Sequence, residues 1–237
     1  MRRYLRIWIV PLLLLLPVLL SSCAPAMPTL ALPSGCRADT PKEELVQNHW
    51  LNQEQVWRLR QSALLEIGTR RTALEGFVRL DLKQREIRLV ALNEMGLVVF
   101  DLRVDAHSET LMRALPQIHE IKGFASGVGT SLRRMFLTPH PRLDDKLKHH
   151  GHYQRLVQSG FAQKGEHGGE LEFVFDCTGN LRRTRLQSAT AKWQVIYADY
   201  HAYALESESV EIPARIVLHN AERRMKLTLT LNEIRQE

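Results

Sequence analysis

Several groups of residues in this 237-residue chain carry side chains able to do chemistry. His149-His150-Gly151-His152 sets imidazoles close together, and close imidazoles can hold a divalent metal. Their spacing is neither that of a zinc finger nor that of a zincin helix, no Cys lies nearby, and His140 and His167 add imidazoles without a pattern. A solvated polar loop without a metal is the expectation. Ser126 stands among glycines in Ala125-Ser126-Gly127-Val128-Gly129. The residue two before it is Phe124, so the Gly-x-Ser-x-Gly turn that exposes a nucleophile is not formed. The same glycines lack the preceding strand and the following Lys-Ser/Thr of a phosphate loop. No catalytic residue, metal or cofactor is therefore expected, and a lipid hydrolase is the weakest reading. Cys36 and Cys177 could pair in an oxidising compartment or remain two thiols, and the sequence leaves both open.

A third cysteine closes a different pattern. Arg2, Arg3 and Arg6 form a basic start, and Ile7 to Leu20 is an apolar run interrupted by Pro11 and Pro17. Leu20-Ser21-Ser22-Cys23 follows directly. The charge, length and small-residue ending fit an export signal, and the apolar core is short for a membrane span. The string Leu-Ser-Ser-Cys is similar to a bacterial lipobox, in which cleavage before Cys leaves that residue with diacylglycerol and an amide-linked acyl chain. On that likeness residues 1–22 are a signal peptide, Cys23 is the lipidation site, 23–39 is a Pro-rich tether and 40–237 is one domain. Two or more buried acyl chains anchor a protein stably. The alternative is an ordinary secretory signal with an incidental Cys.

The formal charge of +6 includes the three signal arginines; without them 29 basic residues face 26 acidic ones. Nucleic-acid binding gains no support, while a mild attraction to anionic lipid head groups remains.

Elements must position these residues. Thr40-Pro41-Lys42-Glu43 predicts a capped helix start, with the helix ending near Asn52. From Gln55 the pattern alternates. Val78, Leu80 and Leu82, then residues 86–93, then Val98, Phe100, Leu102 and Val104 give consecutive strands with short links, an antiparallel meander. Residues 118–137 change period: Ile121, Phe124, Ala125, Val128, Leu132, Met135 and Phe136 form one helical stripe that includes Gly123, Gly127 and Gly129. Residues 144–169 are expected to be a loop region, with a short strand at Tyr153 to Val157. Strands resume at Leu171, Phe173, Phe175 and Cys177, turn at Thr178-Gly179-Asn180, and continue to the end. Pro213 marks an edge or a bulge in its strand. The fold class is mainly β (α+β): ten or eleven strands in a curved antiparallel half-barrel, with an N-terminal helix and a lid helix covering the concave face.

Several strings carry a resemblance. Ile87 to Gly96 followed by an alternating strand, the glycine-containing helix ending in Ser131-Leu-Arg-Arg-Met-Phe-Leu137, Lys192 to Tyr197, the Pro-containing strand 210–219 and Arg224 to Leu229 resemble the LolB-like outer-membrane lipoproteins. LolB accepts lipoproteins from the periplasmic carrier LolA. The chain also resembles bacterial lipoproteins that accompany fatty-acid-like and aryl polyene synthesis clusters. The resemblance implies a half-barrel with a hydrophobic hollow under a helical lid, lined by Val98, Phe100, Leu102, Phe124, Val128, Leu132, Phe173 and Phe175. The loop-tip Leu that LolB needs to deliver cargo into the membrane corresponds here to Met95. Ala24 and Pro25 follow Cys23, so the Asp that favours inner-membrane retention is absent, which implies the outer membrane. The expected function is non-enzymatic: an outer-membrane lipoprotein binds or receives an acylated molecule, a lipoprotein or a polyene-type lipid, from a LolA-like carrier or beside an exporter. The alternative is an accessory lipoprotein that binds a protein partner through its sheet edge or Met95 loop, around a packed core.

Overall fold

The structure is a computed structural model of the whole chain. It describes residues 30, 32, 35–52, 54–137, 139–163, 166–204 and 209–237. The signal segment, Cys23 and most of the tether lie outside the described residues.

Among the described residues twelve strands form one antiparallel sheet: β1 (Val56–Ile67), β2 (Arg70–Asp81), β3 (Glu86–Leu92), β4 (Val98–Val104), β5 (Glu109–Ala114), β6 (Lys146–His149), β7 (Tyr153–Gln163), β8 (Glu166–Asp176), β9 (Leu181–Gln187), β10 (Lys192–Ala204), β11 (Ser209–Asn220) and β12 (Met225–Gln236). Their order is β5-β4-β3-β2-β1-β12-β11-β10-β9-β8-β7-β6. Two meanders thus meet at the β1–β12 pair, where Trp57 faces Gln236 and Ile67 faces Met225. A sheet of this width curls, and bulges bend it further at Arg60/Gln61, Ala91/Leu92, Asp101/Leu102 and Val174/Phe175. The result is an open half-barrel with its core on the concave side.

Alternation assigns that side. Leu59, Val78, Leu80, Ile87, Leu102, Phe173, Phe175, Trp193, Tyr197 and Ile216 are all buried, while their neighbours along each strand point outward. Pro213 pairs with Tyr200 of β10, and β11 pairs with β12 from Arg215 to Asn220. The proline therefore sits in the half of β11 that has no β12 partner, so its missing N–H costs no ladder bond on that side.

Three expectations are corrected. The strand count is twelve, because residues 144–169 are mostly strand. β6 pairs with β7 from Lys146–Val157 to His149–Gln154, and β7 pairs along β8. Polar residues on the outward face hid the alternation there. The stripe 118–137 is not one helix: α2 (Pro116–His119) and α3 (Phe124–Leu132) are separated at Gly123, which has φ +75°, and a π-helical turn continues over Arg133–Leu137. At the N-terminus α1 is Lys42–Gln47, followed by a 3-10 turn at Trp50–Asn52, and Thr40 makes no side-chain cap. Thr40 is instead drawn to the sheet: its N–H donates to Gln154 Oε1 at 3.1 Å, and Gln154 Nε2 donates to its carbonyl at 2.8 Å.

A disulfide joins Cys36 to Cys177 across 141 residues of sequence. It holds the segment before α1 against the β8–β9 turn, where Gly179 lies under Thr40. Cross-linking so long a loop restricts the unfolded chain, and its loss typically costs about 2–5 kcal/mol. Replacing both cysteines with Ser should lower the urea unfolding free energy by about that amount, and reducing the native protein should do the same.

Candidate functional site

The concave face is lined by apolar side chains from both limbs of the half-barrel. Phe100 and Leu102 of β4, Leu132 of α3, and Phe173 and Phe175 of β8 are each no more than 4 % exposed and belong to one continuous buried cluster. Phe124 and Val128 are half-buried against it, and Phe124 meets Phe100 edge to face with ring centroids 5.0 Å apart. Val98 is placed differently from its neighbours in the pattern. The bulge opposite Leu92 breaks the alternation, and Val99 rather than Val98 packs against the cluster.

The cover is the connection from β5 to β6. β5 and β6 are the opposite edges of the sheet, so residues 115–145 cross the hollow. The two halves of this cover differ. Leu132, Met135, Phe136 and Leu137 are buried to 2 % exposure or less, whereas Ile121 is 51 % exposed and Phe124, Ala125 and Val128 are half-buried. Gly129 is needed for the approach to β5: a Cβ there would lie 3.2 Å from Glu109 Cβ. In this closed arrangement the side chains of the cover itself occupy the concave face. Two open grooves lie elsewhere. One of about 550 Å³ is on the convex face around Phe77 and Val90; the other, of about 520 Å³, is polar and lies between α1 and the ends of β8 to β11.

Residues 58–233 match the family described as protein of unknown function (DUF3261). The chain belongs to that family. No curated protein matches it. Among solved structures it is similar to a LolA superfamily protein from Nitrosomonas europaea, with a TM-score of 0.51, 9 % identity, and coverage of 86 % of this chain and 94 % of that one. A second is a domain from Vibrio parahaemolyticus, provisionally described as an outer membrane lipoprotein-sorting protein, with a TM-score of 0.47, 8 % identity, and coverage of 83 % and 90 %. The first of these likenesses gives this DUF3261 chain the fold of a LolA superfamily protein.

Met95 is at the tip of the β3–β4 turn and is 78 % exposed; Leu97 beside it is 56 % exposed. Asn93 Oδ1 fixes the turn by accepting from the N–H groups of Met95 and Leu97 at 3.0 and 2.9 Å. β5 runs antiparallel to β4 and ends at the same side of the sheet, where Leu115 N–H donates to the Val99 carbonyl. Exposed Leu115 therefore stands near Leu97 and Met95, and exposed Ile121 follows two turns later along the loosely held end of the cover, extending this apolar rim.

The other end is pinned by groups that its pattern did not single out. A π-turn leaves carbonyls without their usual helical partners. Tyr197 Oη donates to the Met135 carbonyl at 3.0 Å, and Arg85 Nη1 donates to that of Leu137 at 3.1 Å. Arg133 Nε donates to the Asp105 carbonyl at 2.7 Å, and its guanidinium pairs with Glu109. Trp50 packs edge to face on both Phe136 and Tyr197, at 6.1 and 6.3 Å. The signals for these were a tyrosine facing inward in a β-branched strand and an arginine in a hairpin turn.

Beside this anchor His49 and His140 stack with ring centroids 6.2 Å apart, and Arg85 contacts His140. Burial, then the Arg85 charge, pushes His49 down to about 3, and burial, Arg85 and His49 hold His140 well below its usual range. Both imidazoles are thus neutral in the fold. The remaining candidates sit apart from the hollow. Ser126 is exposed on the outer side of α3, and His149, His150 and His152 are exposed near the β6–β7 turn, with His150 stacked on Tyr153. Among the described residues no group of three or more His, Cys, Asp or Glu is placed to hold a metal.

Two outcomes follow from the anchor. Tyr197→Phe leaves the Met135 carbonyl short of its donor and should cost about 1–2 kcal/mol, with faster amide exchange confined to residues 124–137. Protonation of His49 is favoured only in the unfolded chain between pH 6.5 and about 3. Its contribution to stability is therefore complete above pH 6.5 and is lost as pH falls toward 3, by up to about 1.4 kcal/mol per pH unit. His49→Phe should flatten the decline in urea midpoint between pH 6.5 and 4.5.

Proposed function

We propose that this protein is a lipid-anchored envelope lipoprotein that binds or receives an acylated molecule in the hollow beneath its lid, without catalysing a reaction. One observation carries the reading. An apolar concave face is covered by a segment tightly fixed at one end and loosely held at the other, and the loose end opens onto the exposed rim of Met95, Leu97, Leu115 and Ile121. An acyl chain entering there would replace Phe124 and Val128 against Phe100, gaining about 0.8 kcal/mol per buried CH₂. That term is indifferent to the head group, so a lipoprotein and a polyene-type lipid are both suitable cargo. The direction of hand-off would follow differential affinity alone. The lipobox at Cys23 supports an anchor at the outer membrane, the likeness to a LolA superfamily fold supports a periplasmic donor of that kind, and the exposed Met95 would serve the loop-insertion role.

A second reading has its own observation. The hollow residues are already packed, and β5 is a free edge carrying Met112, 60 % exposed, next to the rim. A protein partner, such as an exporter or a synthase, could add a strand there.

Native mass spectrometry separates the two. The chain with Cys23→Ala, purified from a host that makes the fatty-acid-like product and offered acylated peptides and free lipids, should retain an acyl species. Leu102→Asp or Phe124→Asp, each shown to be folded by near-UV circular dichroism, should lose it. A clean apo mass with no uptake would sink the carrier reading and leave the partner-binding one.

A further inference from the structure

The convex face of the sheet divides into two electrostatic regions. Across β12, β1, β2, β3 and β4 one row of cross-strand neighbours holds Arg235, Arg58, Arg79, Arg88 and Arg103. Like charges opposite one another destabilise a sheet, and here each is compensated: Arg235 by Glu233, Arg58 and Arg79 by Glu237, Arg79 also by Asp81, Arg88 by Asp101 and Arg103 by Glu86. Every guanidinium of this row thus has a carboxylate partner.

Around β8 the balance fails. Glu172 points away from the hollow, yet its side chain is 2 % exposed because three guanidiniums cover it. Arg183 Nη2 is 3.0 Å from Glu172, Arg185 Nη2 is 2.6 Å away, and Arg155 Nη1 is 3.8 Å away. Arg155 and Arg183 flank Val174 in one row, while Glu172 and Arg185 continue to Gln194 in the next. Lys148 stands beside Arg155 on β6 and makes no ion pair among the described residues. In the row beyond, Glu170 and Lys192 flank Gln187 with one charge of each sign. The cluster therefore carries at least two positive charges in excess.

Hydrogen bonding is unbalanced in the same sense. Arg155 Nε, Arg183 Nε and Gln194 Nε2 are buried without an acceptor, and Gln194 is 1 % exposed. All three are donors. Buried polar groups in folded proteins are mostly paired; here cations and spare donors gather with one carboxylate to share.

We propose that this cluster is a binding site for a phosphate oxyanion. A phosphate monoester carries about −1.5 to −2 charges and three strong acceptor oxygens, which matches both the charge excess and the surplus of guanidinium forks. A phosphodiester head group supplies the same chemistry with less charge. Glu172 is then an internal competitor that holds the arginines together when the site is empty. The site is on the opposite side of the sheet from the lid and does not depend on what the hollow binds.

The test uses the full chain with Cys23→Ala and two probes: inorganic phosphate by calorimetry, and co-sedimentation with phosphatidylcholine vesicles with and without phosphatidylglycerol. Saturable binding is expected in at least one arm. Arg183→Gln should weaken it tenfold or more, Glu172→Gln should tighten it several-fold, and Arg88→Gln in the balanced row should leave it unchanged. Phosphate binding without vesicle recruitment assigns a soluble phosphate compound; recruitment by phosphatidylglycerol that phosphate reverses assigns a lipid head group. Should Arg183→Gln fail to fold, Lys148→Gln at the rim still reports, with an expected loss of about threefold. Absence of saturable binding in both arms, an equal loss in Arg88→Gln, or no gain in Glu172→Gln would overturn the site.

Discussion

The structure depends on how a sheet with two free edges is closed. β5 and β6 lie at opposite ends of a twelve-strand order yet are consecutive in the chain. Residues 115–145 must therefore pass from one edge to the other, and the short route lies across the concave face. That face is apolar because both meanders alternate with the same sense. A connection laid over it gains burial only by presenting apolar residues downward, which is why Phe124, Val128, Leu132, Met135 and Phe136 recur at helical spacing. The cover follows from the topology.

The same constraint explains why the cover is fastened at the side where the N-terminus enters. The disulfide and the Gln154–Thr40 bonds hold the segment before α1 against the strand ends. Trp50 then reaches the junction of Phe136 and Tyr197. Three distant parts of the sequence meet in one buried contact. The neutral His49–His140 pair beside Arg85 makes that contact sensitive to acid, since neither imidazole can be protonated there without losing its packing or repelling the guanidinium.

Much of the fold was legible in the sequence because both faces of most strands declare themselves. Val78-Leu80 against Arg79, or Phe173-Phe175 against Glu172, leaves little choice of face. Where outward residues are long and polar and inward ones sparse, as in β6 and β7, alternation weakened and strands passed for loop. The single helix expected over 118–137 failed for a local reason: the left-handed backbone at Gly123 stops a helix, and apolar periodicity does not register that. Of the residues that the resemblance placed at the hollow, those on β4, β8 and α3 lie together in one cluster, apart from Val98, displaced by a bulge that no pattern of side chains records. The anchor at Tyr197, Arg85 and Arg133 was illegible because side-chain donors to backbone carbonyls leave no periodic trace. The excess of arginine around Glu172 was hidden by register, which sequence spacing alone does not supply.

Opening the hollow has an unequal cost along the lid. Lifting Leu132 to Leu137 would expose four fully buried side chains, each worth about 1.5–3 kcal/mol of burial, and would break the bonds from Tyr197 to Met135 and from Arg85 to Leu137, each worth about 1 kcal/mol net. A domain stable by roughly 5–15 kcal/mol could not sustain that as a working motion. Raising the segment from Ile121 to Val128 exposes less: Ile121 is already in solvent, and Phe124 and Val128 give up a burial that is already incomplete. Gly127 and Gly129 lie at the boundary between the two halves, where helix is weakest by propensity. A partial opening at the Met95 rim is therefore the inexpensive one. It leads to Phe100 and not to the Trp50 junction, so access to the concave face can change while the anchor that sets the fold stays closed.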